Sequence, residues 1–139
     1  MYVLLTLAVM VACDKKGNEA VDCSTMNHEG VELVYPKGTE SFKVGSTVPV
    51  KWKVDPDKVN LVDITVSTTS PDGPFRRIFS KSISVPYEGG VQCMDTVWTI
   101  GSEHETVQYS PPQTVYIRVE KYSAANEYSD VSGMITINE

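Results

Sequence analysis

The sequence is poor in the residues that most often carry reactions. It has two histidines and three cysteines in 139 residues, and no two cysteines stand in a Cys-x-x-Cys spacing. Zinc sites of finger or ribbon type need closely spaced thiolates or imidazoles, so that class is excluded. Positive charge is also scarce, with twelve Lys and Arg against eighteen Asp and Glu and a formal net charge of −6. A nonspecific nucleic-acid binder needs a dense cationic surface to neutralise phosphates, and none can be assembled here. No apolar run reaches the roughly 20 residues that cross a bilayer as a helix. Nor does any stretch of about eleven residues hold a 3.6-residue apolar period, so helices are expected to be minor. What is present, 41% hydrophobic and 22% charged residues, describes one globular domain. A chain of this length buries roughly 68% of its unfolded surface.

Residues 1–12 carry no charge and match the apolar core of a signal peptide. The run ends at Met10-Val11-Ala12-Cys13, which resembles a bacterial lipobox, where cleavage falls before a cysteine that then receives lipid. On that reading Cys13 is the lipid attachment, the membrane is a partner through the anchor, and the location is the bacterial envelope, periplasmic or surface-exposed. Residues 13–30 are polar and read as attachment site and flexible tether, leaving 31–139 as the domain. An exported chain meets an oxidising compartment, which permits a disulfide between Cys23 and Cys93. The alternative is two separate thiols, with Cys93 a small buried side chain.

From Val31 onward, short segments rich in Val, Ile, Thr and Tyr are broken by Pro, Gly, Asp and Ser at about ten-residue intervals, the texture of a sandwich or barrel. Strands are expected at 31–35, 48–54, 59–68, 91–100, 114–119 and 132–138, with 75–79 and 81–85 forming one bent strand or a short hairpin. Alternation puts Val48, Val50, Trp52 and Val54 on a core face and Lys51 and Lys53 on the other. Pro49 marks an edge or bulge. Val62, Ile64 and Val66 face inward if Leu61 and Asp63 point out, and Met94, Thr96, Trp98 and Ile100 are the core set of their segment. Val115, Ile117 and Val119 alternate with Tyr116 and Arg118, and Ile135 and Ile137 close the core. Arg76 and Arg77 read as a solvated outer face.

The turn Pro36-Lys37-Gly38, then Phe42, Val44-Gly45-Ser46 and Val50-Lys51-Trp52, resembles the N-terminal module of the fungal cell-wall glucan-synthesis and Ser/Thr-rich GPI-anchored protein family, which recurs in bacterial surface proteins. Tyr116, Arg118 and Val119 fit its late strand, and Ser129 with 132–137 its closing strand, whereas 87–100 with Cys93 departs from the pattern. The resemblance implies an immunoglobulin-like or fibronectin type III-like β-sandwich of about seven strands, and association with a wall or surface rather than a reaction.

Catalytic arrangements are sought in vain. His28 falls in the tether, where a base could not be held, and His104 lies in the loop Glu103-His104-Glu105. A small metal-dependent hydrolase would need His104 to converge with Asp95 or Glu105. Asp55 and Asp57 flank Pro56 in a turn, with Asp63 beyond, but no calcium-loop spacing surrounds them. Gly89-Gly90 lacks the context of a phosphate loop. No cofactor, metal or enzymatic activity is therefore expected. Tyr87, Tyr109, Tyr122 and Tyr128 lie in or beside loops, where rings stack on sugars or anchor a protein partner. The expectation is a noncatalytic module recognising an envelope protein or wall glycan through its loops. The rival reading is a secreted carbohydrate-binding module, which requires a coplanar row of exposed Tyr and Trp rings.

Overall fold

The computed structural model describes residues 21–103 and 105–139. The apolar leader 1–12, Cys13, the first part of the tether and His104 lie outside the described residues. Ten strands and no helix are found among them: β1 Val31–Tyr35, β2 Ser41–Lys43, β3 Thr47–Val54, β4 Leu61–Ser67, β5 Arg76–Arg77, β6 Ile83–Ser84, β7 Gln92–Thr99, β8 Gln113–Lys121, β9 Ser129–Val131 and β10 Ile135–Asn138.

The strands form two sheets, a small one in the order β1-β3-β7 and a large one in the order β2-β10-β8-β4-β5, with β6 on β4 and β9 on β8. Every pairing is antiparallel except β2 with β10, which is parallel. This is the strand order of an immunoglobulin-like, fibronectin type III-like sandwich. The count exceeds the seven expected segments because one of them breaks and because β2 and β9 form outside the expected bounds. The 75–85 segment is one bent strand: β5 and β6 both pair with β4, and between them Ile78 dips into the core while its N–H donates to the Ile64 carbonyl. The expected 132–138 strand is shortened to β10, with β9 ahead of it and Ser132-Gly133-Met134 as the break between them. There the Ser132 hydroxyl accepts from the Ile117 N–H, and Gly133 packs on Gly38, where a Cβ would stand 2.9 Å from the Gly133 Cα. The three-residue β2 is too short for alternation to reveal.

The core follows the two-residue period. Val31 and Leu33 of β1, Val48, Val50, Trp52 and Val54 of β3, Val62, Ile64 and Val66 of β4, Val115, Ile117 and Val119 of β8, and Ile135 and Ile137 of β10 are all buried. Trp98 joins them at 0% exposure. Pro49 lies beyond Lys51, the last β3 residue paired to β1, so β3 is a local edge where an N–H is missing.

The outer faces are less open than alternation implies. Asp63 points away from the core yet is buried, because Arg77 reaches it at 3.1 Å and Ser82 donates to it at 2.6 Å. Arg77 is thus paired rather than simply solvated. Its neighbour in the network, Arg118, binds Glu120 at 2.8 Å and lies 3.9 Å over the Phe75 ring. A central strand such as β4 is flanked on both sides, so long charged side chains from neighbours fold over its polar face.

Candidate recognition surface

Three connections meet at one end of the sandwich: 55–60 after β3, 85–91 after β6, and 122–128 after β8. Backbone bonds hold them together, with Val85 N–H donating to the Asn60 carbonyl and Tyr122 N–H to the Leu61 carbonyl, both at 2.9 Å. The 122–128 loop is closed by Lys121 N–H on the Tyr128 carbonyl and by a tight turn in which Ser123 takes φ 56°. Tyr87 stands on this end at 78% exposure and Tyr122 at 48%. The Asp57 carboxylate beside the Tyr87 phenol raises its pKa, because it favours the protonated hydroxyl. Tyr128 is on the same end but half-buried. Its ring fills the space above Gly30, where a Cβ would meet the ring at 2.3 Å. Gly30 also has φ +82°, so this contact needs glycine twice over. Lys58 bridges Glu29 at 2.9 Å beside these loops, and that bond raises its pKa.

The segment expected to be flexible tether is docked from Val21 on, ten residues before the boundary that composition suggests. One register row places Glu32, Lys53 and Cys93 side by side on the outer face of the small sheet. The segment crosses this row strand by strand. Cys23 is bonded to Cys93 with Cα atoms 5.5 Å apart, the Thr25 carbonyl accepts from Lys53 at 3.0 Å, and the Asn27 N–H donates to Glu32 at 3.2 Å. Lys53 and Glu32 are each only 8% exposed beneath it. His28, expected to be unsupported, is held by its Nδ1 at 2.9 Å from the Val31 carbonyl, with its Nε2 at 4.0 Å from Asp130. Asp130 in turn accepts from the Leu33 N–H at 2.8 Å and from Lys37, so it clasps the edge of β1 to the other sheet. Asp130 Oδ2 and Glu32 Oε1 are thus occupied by structural bonds.

Tyr109 belongs to the opposite end. It packs on Trp98, with ring centroids 6.4 Å apart, and its phenol donates to Glu105 at 2.6 Å. Burial first, and then the Glu105 carboxylate, push its pKa far up. Glu105 also accepts from the Trp98 indole at 3.1 Å and from the Gly101 N–H. Tyr109 is therefore a packing residue rather than a recognition one. Asp95 is exposed on the outer face of β7, whereas Trp98 carries Glu105 on the inner side, so these two carboxylates do not converge. Among the described residues no group of three His, Cys, Asp or Glu side chains is arranged to hold a metal ion. Both tryptophans are core residues, leaving Tyr87 and Tyr122 as the strongly exposed aromatic rings among the described residues. The disulfide that the sequence allowed between Cys23 and Cys93 is present and staples the segment to the sheet, while the bonds from Lys53 to Thr25 and from Asn27 to Glu32 that lay it across the row had no sequence signal.

No family model, curated protein or solved structure matches this chain.

Proposed function

We propose that this chain is a noncatalytic lipid-anchored module of a bacterial envelope, whose loop end binds an envelope protein or wall glycan. The observation that carries the reading is the placement of Tyr87 and Tyr122, exposed on loops that backbone bonds tie to Asn60 and Leu61, while both tryptophans are used in the core. Rigid rings with a polar tip bury large area at little entropic cost, which suits them to anchor a partner. The lipobox-like Met10-Val11-Ala12-Cys13 and the family resemblance support the surface location. Cys23 is ten residues on from Cys13, a reach of about 35 Å when extended, so an anchored domain works close to the bilayer.

Intact mass and membrane partition of the full-length gene product in a bacterial host test the anchor, with Cys13→Ala beside it. A lipidated species that starts at Cys13 and is lost in the variant is expected. An unmodified soluble species in both overturns anchoring. Pull-down from envelope with Tyr87→Ala and Tyr122→Ala then tests the surface, and capture that is indifferent to both overturns it.

A further inference from the structure

The segment that crosses the small sheet is held unlike the rest of the molecule. Its apolar side chains, Val21 and Met26, are half-buried, and neither belongs to the core cluster. Apart from the disulfide, the stretch 21–27 is tied to the sheet by single polar bonds, from Lys53 to Thr25 and from Asn27 to Glu32, whereas His28, Glu29 and Gly30 are held further along by Val31, Lys58 and the Asp55 N–H. Beneath its middle lies the Lys53–Glu32 ion pair at 3.6 Å, in which Glu32 Oε2 has no hydrogen bond. Lifting the segment would hydrate two buried charges, which offsets the loss of its bonds and leaves the core closed. The bond that prevents this is accessible. Cys23 and Cys93 are both exposed, and a cavity of about 260 Å³, lined by Val21, Cys23, Val34, Lys51, Cys93 and Asp95, opens beside them.

We infer that the Cys23–Cys93 bond is a reducible clasp, the site of exchange with an external dithiol, and that it sets whether residues 21–27 lie on the sheet or leave it. A thiolate of the dithiol attacks one sulfur of the bridge, the sulfur–sulfur bond breaks, and the other cysteine leaves as a thiolate and takes up a proton. The second thiol of the reductant then resolves the mixed disulfide. Two electrons pass to the bridge, leaving Cys23 and Cys93 as thiols and the reductant as a disulfide. If Cys13 carries lipid, as proposed above, release moves the first fixed point of the chain from Cys23 to His28. The reach from the anchor then rises from about 35 to about 50 Å. That consequence rests on anchoring, but the clasp does not.

The full chain is purified oxidised, treated with dithiothreitol in native buffer and alkylated, with hydrogen exchange followed by mass spectrometry. Both cysteines are expected to alkylate without denaturant. Peptides over 22–27 should exchange about tenfold faster or more, while β3, β4 and β8 stay protected. Cys23→Ser should reproduce the fast exchange with no reductant. A bridge that yields only in denaturant, reduction that opens β3 and β4 together with the segment, or a reduced segment that stays protected each overturns the clasp. Cys13→Ala should give the same traces as the parent, so loss of the anchor and loss of the clasp are read separately.

Discussion

Two tyrosine–carboxylate pairs occupy opposite ends of this sandwich and have opposite roles. Tyr87 with Asp57 and Tyr109 with Glu105 share one chemistry, a carboxylate beside a phenol that raises its pKa. At the loop end the pair stands in water, where the carboxylate has solvent as an equal partner. At the other end Glu105 also receives the Trp98 indole and the Gly101 amide, and burial is the larger cause of the Tyr109 shift. The same pairing is thus incidental at the surface in one place and a structural joint in the other, because the value of a polar contact depends on what its partners would find without it.

The largest expected difference is between the carboxylates. Glu105→Ala leaves the indole of Trp98 and the phenol of Tyr109 without their acceptor and should destabilise the fold by about 3 kcal/mol in urea titration. Asp57→Ala should leave the urea midpoint where it was, and equal effects would erase the distinction. Next, Tyr109→Phe removes one donor from a buried network and should cost about 1–2 kcal/mol, whereas Tyr87→Phe should have no measurable effect.

The pH dependence sharpens the contrast. A phenol whose folded pKa lies above its unfolded value adds stability that is fully present below about pH 10 and is lost as pH rises further. The parent should therefore weaken more steeply in alkali than Tyr109→Phe, as followed by thermal melts, and parallel curves would refute the buried joint. Tyr87 has a shift of the same sign, but its exposure leaves that shift little weight in stability. The smallest effect on folding and the largest on binding belong to Tyr87→Ala and Tyr122→Ala. Their melts should overlay the parent while capture of an envelope partner falls about tenfold.

The sequence made most of the fold legible through alternation, since β3, β4 and β8 each bury the side chains that a two-residue period selects. Strand ends and breaks were less visible. The division between β9 and β10 depends on Ser132 meeting Ile117 and on Gly133 meeting Gly38, contacts between residues far apart in the chain. For the tyrosines, position in a loop was readable but exposure was not. Tyr109 and Tyr87 look alike in their local context, and only the approach of Trp98 and Glu105 separates them.

By itself the sequence determined the all-β class, the core faces and the poverty of catalytic groups, because apolar period and composition are local properties carried by consecutive residues. Tertiary structure alone decided that residues 21–30 lie on the small sheet, that Lys53 and Glu32 are buried beneath them, and which tyrosines meet water. Each of these depends on residues distant in sequence arriving at one place, and on the desolvation that follows, which no local pattern records.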